Sequence, residues 1–296
     1  MHRKSRLADC GRSVKADKGE NLKKSNMIRT VALVLAAIWG VAFAPSALAD
    51  RLDDIQSRGK LLVGVSDTTP PFSFKAADGT LTGYDLDLVR AVAQRLGVGL
   101  EMTALSSAER IPLLQQGKLD FVATSMTRTA DRLRDVDFSH IYFVTPHAVV
   151  VKKASGISSV KQLAGRKASS ASTSTAGGNL KEAVPEVNLV YVRDYAVAFA
   201  ALKAGSVDAF TTDETVLAAM VRDDGNPNDY LFLPDFTKSR NVGFAMKKDE
   251  ARLKSAINQA LLDMEASGEA AKIWDTWFGP GTAQPIPRTF KITAQY

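Results

Sequence analysis

Short apolar runs alternate with stretches of helical spacing from about residue 60 to residue 270, and that alternation predicts an α/β protein. Leu61-Leu-Val-Gly-Val65 reads as the first strand. Across 85–96, Leu86, Leu88, Val89, Val92, Ala93 and Leu96 recur at helical spacing, and Gly97 follows as a C-cap signal. Strands over 98–102 and 121–123 flank a short helix over 111–116. A second set of the same kind follows Val149-Val-Val151, with strands over 168–170, 189–192 and 207–210 and helices over 176–183, 195–203 and 213–222. Residues 242–246 return as a strand, and 253–265 form a long amphipathic helix. Apolar strands around 147–152 and 241–246 bracket the second set, as they would if one domain were inserted into another through two connections.

The N-terminus is patterned differently. After Lys23, Lys24 and Arg29 comes an uncharged run over 31–44, then Pro45 and Ala47-Leu48-Ala49. A positive segment, a short apolar core and small residues before the cut predict a secretory signal removed after Ala49, and so a periplasmic protein. A membrane-spanning helix would need about 20 apolar residues, more than this run offers. Residues 1–49 hold 9 of the 38 Lys and Arg and 3 of the 32 Asp and Glu, so 29 of each sign remain beyond the cut. The formal charge of +6 therefore belongs to the leader and gives no support for nucleic-acid binding. The single cysteine, Cys10, lies there too, which excludes a disulfide, a thiol nucleophile or a cysteine metal site from the rest.

Candidate chemistry concentrates in one stretch, Arg110-Ile-Pro-Leu-Leu-Gln-Gln-Gly-Lys-Leu-Asp-Phe121 running on through Ser125-Met-Thr127 to Arg132 and Val136-Asp-Phe-Ser139. It brings hydroxyls and an arginine to a tight turn and the helix start expected after it. Backbone N–H groups at a helix start attract anions, and a guanidinium holds a carboxylate through paired charge-assisted hydrogen bonds. His140 and His147 have no metal-ligand spacing, and there is neither a phosphate loop nor a Gly-x-Ser-x-Gly elbow. No metal or cofactor is expected.

Six local patterns then occur in order: Gly83-Tyr-Asp-Leu-Asp-Leu88; Arg110-Ile-Pro with Gly117-Lys-Leu-Asp120; the Ser125–Ser139 turn; Gln162-Leu-Ala-Gly165; Ala204-Gly-Ser-Val-Asp208 with Asp213; and Trp274-Asp-Thr-Trp-Phe-Gly279. Together they resemble the amino-acid-binding proteins of ABC uptake systems, solute-binding protein family 3. Within the family, the Arg110-Ile-Pro-Leu-Leu stretch, the loop 67–72 and the tail Pro285-Ile-Pro287 look most like the glutamate/aspartate branch. The resemblance implies two α/β lobes joined by two strands and closing like a hinge, with lobe 1 formed by 50–147 plus 247–296 and lobe 2 by 148–246. It further implies a monomer that hands an amino acid to a membrane ABC permease.

It also assigns roles. Arg132 would take the ligand carboxylate, with Ser125 and Thr127 adding hydroxyl or backbone contacts; Ser174, before a helix, would complete that site from lobe 2. Asp213 would take the ammonium. Arg110 and Ser107 match side-chain contacts of the acidic branch, Tyr195 stands at another contacting position, and Phe72 would pack on the ligand's aliphatic part. Plainer roles compete: Arg132 as a solvated helix residue, Ser174 and Asp213 as N-caps, Phe72 as core. The chain also departs from the acidic branch, with Ser66 for an arginine, Tyr195 for a histidine and Ala171 for a threonine. Cyclohexadienyl dehydratases resemble the same family, and such an enzyme would need a general acid, for which Glu214 and Asp67 are candidates.

Overall fold

The computed structural model describes residues 50–236 and 238–294; the expected leader and its cleavage after Ala49 lie outside the described residues. Two lobes follow, one on each of two sheets. The first sheet runs in the order Gly99–Ala104, Lys60–Val65, Phe121–Ala123, Ala245–Lys247, Val136–Phe138. Lys60–Val65 is parallel to both of its neighbours, and the late strand Ala245–Lys247 is antiparallel to both of its own. Its helix Tyr84–Leu96 buries Leu86, Leu88, Val89 and Val92 against this sheet and ends at Gly97, whose φ of 67° a side chain would resist.

The second sheet runs Asn188–Val192, Lys167–Ala171, Ala209–Asp213, Phe143–Lys152, Tyr230–Phe232, with Lys238–Val242 also paired to Phe143–His147. Among the described residues no helix is long and apolar enough to cross a membrane.

The departures from expectation sit where polar residues are buried. The strand expected over 207–210 is Ala209–Asp213, because Thr211 and Thr212 are fully buried and extend it, so the helix begins only at Glu214. The strand expected over 242–246 splits. Lys238–Val242 joins the second sheet, Ala245–Lys247 joins the first, and Gly243-Phe244 crosses between them. The other crossing is 139–142. The two are laced together: Ser139 N donates to Phe244 O (2.9 Å), Tyr142 N to Val242 O (3.0 Å) and Phe244 N to the Ser139 hydroxyl (2.9 Å). A small antiparallel sheet, Thr68–Thr69, Ser73–Lys75 and Leu81–Thr82, and the helices Arg51–Arg58 and Glu269–Phe278 lie outside the hydrophobic pattern.

Helix Glu269–Phe278 turns Trp274 onto Phe143, with rings stacked 5.0 Å apart, while the Trp277 indole N–H donates to Asp87 (2.7 Å). Both tryptophans are packing residues.

Candidate functional site

The strand Phe121–Ala123 ends in the turn 124–127, and there the backbone is strained. Ser125 has φ 50°, a left-handed conformation that costs a non-glycine residue about 1–3 kcal/mol and persists only where surroundings enforce it. Those surroundings are visible. Ser125 N donates to Asp85 (2.7 Å), a carboxylate fully buried in the first turn of Tyr84–Leu96. From the other side Arg240 donates to Ser125 O (2.9 Å), to the Ser125 hydroxyl (2.5 Å) and to the Thr127 hydroxyl (2.6 Å).

Arg132 opens a helix of only four residues, Arg132–Asp135, whose cap residue Asp131 makes no side-chain cap. The helix start expected to attract an anion is thus a single turn, and the guanidinium remains as the recognition group. It is half-buried and donates to Thr127 O (2.8 Å) in its own lobe and to Thr173 O (2.5 Å) across the cleft. Thr173 is itself left-handed, with φ 66°, and its hydroxyl donates back to Ser107 O (3.0 Å). The Thr127 and Thr175 hydroxyls meet at 3.3 Å. Two of the three non-glycine residues with positive φ among the described residues, Ser125 and Thr173, therefore lie at the junction of the lobes.

Asp213 ends its strand 1% exposed and is in ion-pair contact with Arg240 through Oδ1, while Oδ2 has no hydrogen-bond partner among the described residues. Burial pushes its carboxyl up to about 6, against the pull of Arg240, Arg110 and Arg132. His147 lies 3.6 Å away, and burial, followed by Arg240, Arg132 and Lys238, pushes its imidazole down to about 3. It is neutral, set between the Asn179 amide (2.8 Å) and the Thr175 hydroxyl (3.2 Å). Arg110 is 5% exposed, its Nε without a partner among the described residues; burial lowers its pKa while the adjoining Tyr195 opposes. Burial and then Arg110 bring Arg132 down to about 10.

The structure thus brings Arg110, Arg132, Ser125, Thr127, Ser107, Tyr195 and Asp213 to one junction. Ser174 caps Thr175–Ala183 by accepting from Ala176 N (3.3 Å), on the side of the cleft that faces Thr127. Phe72 is fully buried in an aromatic cluster, 4.7 Å from Phe143 and edge-on to it, with Tyr84 and Phe278. Ser66 is buried too, its hydroxyl 2.7 Å from that of Thr69. Arg240 is the residue the hydrophobic pattern did not single out. A signal existed, since Arg240 and Val242 are two apart on one strand and share its buried face. A cavity of about 150 Å³ lies beside Ala108, Arg110, Pro112, Met126, Arg132 and Thr173, next to the junction of the lobes. A wider one of about 350 Å³ opens between Asp67 and Glu109 on one side and Arg193 and Asp194 on the other.

Residues 61–280 match the bacterial extracellular solute-binding proteins, family 3. The chain is 35% identical over 241 residues to the ABC transporter glutamine-binding protein GlnH of Bacillus subtilis, covering 79% of this chain and 87% of that one. It is 39% identical over 210 residues to a glutamine-binding protein of Geobacillus stearothermophilus, covering 69% and 79%. An ancestral arginine-binding protein solved with arginine superposes with a TM-score of 0.71 at 38% identity, covering 75% of this chain and 99% of that one. These proteins are named for glutamine and arginine rather than for glutamate or aspartate. This chain belongs to the bacterial extracellular solute-binding proteins, family 3.

Proposed function

We propose that the protein is a periplasmic solute-binding component that captures one amino acid between its lobes and delivers it, as a monomer, to a membrane ABC permease, with glutamate or aspartate as the favoured ligand. One observation carries the acidic preference: Arg110, Arg132 and Arg240 all lie close enough to Asp213 to pull on its carboxyl, and of the three Arg240 pairs with it directly. A buried charge without a partner costs several kcal/mol. A cationic ligand would add a fourth positive charge to this group, which argues against arginine despite the arginine-binding neighbour. Glutamine is the second reading, supported by the names of the relatives at 35% and 39% identity. A dehydratase finds less support, because Glu214 is exposed and Asp67 only lines the cleft mouth.

A thermal-shift screen against the twenty amino acids tests the reading, on protein refolded from denaturant to strip carried-over ligand. A ligand at a hundred times its Kd should stabilise by about 2.7 kcal/mol. Glutamate or aspartate should give the largest rise in Tm. A rise with glutamine alone would sink the acidic preference and keep the binding protein. Silence from all twenty, with a response to prephenate or arogenate, would replace the function.

A further inference from the structure

Arg240 changes what the cleft can hold. It stands on Lys238–Val242, 5% exposed, and every hydrogen bond it makes in the described structure holds the Ser125–Thr127 turn, while its Nε faces Asp213 Oδ1. A ligand ammonium reaching Asp213 therefore meets a carboxylate whose charge is already compensated by a fixed, buried cation. Only Oδ2 is left to accept from it.

The charges set the rest. Three guanidinium groups face Asp213, and His147 is neutral. Asp85, behind the turn, is pushed up to about 7 by burial and carries only part of a charge at neutral pH. Within the buried junction, leaving aside Asp67, Glu109, Arg193 and Asp194 at the cleft mouth, three positive charges against one carboxylate, or against two when Asp85 is ionised, leave an excess of between one and two. A zwitterion such as glutamine brings no net charge and leaves that excess buried. An amino-dicarboxylate brings one negative charge, and a dicarboxylate lacking the amino group brings two. Only the last two offset the excess.

We propose that the cleft accepts short dicarboxylates as a class, with or without an α-amino group, and that Arg240 is the specificity-determining residue that makes the ammonium dispensable. This rests on the junction of the lobes being the ligand site, and it widens the ligand class beyond amino acids.

Calorimetric titration of the refolded protein with glutamate, with glutarate (its skeleton without the amino group) and with glutamine tests it. Glutarate should bind within tenfold of glutamate, and glutamine more weakly than either. Glutarate more than tenfold weaker than glutamate would overturn the proposal while the amino-acid reading stood. Binding of glutamine in preference to both acids would overturn the proposal and the acidic preference together. Arg240→Gln is the second arm. It frees Asp213 to take an ammonium, so glutarate affinity should fall at least thirtyfold while glutamate falls by less, and Arg240→Lys should restore part of the glutarate binding. Equal losses for glutamate and glutarate would overturn the assigned role of Arg240. Should Arg240→Gln fail to fold, the wild-type comparison of glutarate with glutamate still decides.

Discussion

Asp120 and Asp213 are both buried aspartates at the edge of a strand, and both meet arginine, yet they are finished differently. Asp120 is saturated. Oδ1 accepts from Arg51 Nε (2.6 Å), Oδ2 accepts from Leu62 N (2.7 Å) and from Arg58, and Arg51 also donates to Gly117 O (2.8 Å). Both oxygens are partnered within one lobe, tying the helix Arg51–Arg58 to the sheet. Asp213 keeps Oδ2 unpartnered, and nearby Arg110 keeps Nε unpartnered, at a junction that two lobes share. A buried polar atom without a partner costs about 1–3 kcal/mol, so two such atoms at the junction of the lobes are available to a ligand. In this pair of aspartates, the one tied into a single lobe has both oxygens partnered, and the one at the junction keeps an oxygen free among the described residues.

The largest effect should come from breaking the saturated pair. Asp120→Ala leaves two half-buried arginines and the Leu62 N–H without their acceptor, and removing one partner of a buried ion pair costs about 3–5 kcal/mol. Because Arg51 and Arg58 retain some water contact, the loss should fall near the lower end. Denaturant titration would read it as a lowered midpoint at unchanged slope, with ligand affinity kept within threefold. A tenfold change in affinity would erase the distinction between the two aspartates. Arg132→Ala should do the reverse. It leaves a ligand carboxylate unpaired and should weaken binding by at least a hundredfold, about 2.7 kcal/mol, with a smaller change in Tm than Asp120→Ala. Binding within threefold of wild type by calorimetry would remove Arg132 from the site.

Much of this was legible in the chain before any coordinates. The alternation of strands and helices, and a second set bracketed by two apolar strands, follow from burial of one face of each helix and both faces of central strands. Arg110, Arg132, Ser125, Thr127 and Asp213 were singled out by the family motifs that carry them, with guanidinium groups and hydroxyls at a turn suiting anion capture besides. What stayed hidden was polar and buried. Lys238–Val242 reads as surface chain because Lys238, Ser239 and Asn241 are polar, and it is the pairing of this strand with Phe143–His147 in the second sheet that places Arg240 inside. The hairpin strands of two or three residues at 68–82 carry too little periodicity to register as strands. Phe72, whose spacing fits either a core or a ligand platform, is decided by the aromatic neighbours that tertiary packing supplies.

Asp85 falls between the two aspartates and offers the smallest effect and the sharpest sign. Its Oδ2 accepts from Ser125 N, its Oδ1 has no partner among the described residues, and burial raises its carboxyl to about 7. A carboxyl whose folded pKa lies above its unfolded one binds a proton more tightly in the native state. The stability this confers is complete below about pH 4 and is lost as pH rises through about 7. Wild-type Tm should therefore decline between pH 5 and pH 8. Asp85→Asn keeps an acceptor for Ser125 N without a charge to bury, so its Tm should be flatter over the same range. A loss of about 2 kcal/mol corresponds to roughly 4–8 °C for a chain of this size. The difference in Tm between the two proteins should widen up to about pH 7 and level off above it. Parallel curves would mean that Asp85 is held ionised throughout, as satisfied in the fold as Asp120, and that spare valence alone does not separate the binding site from the scaffold beneath it.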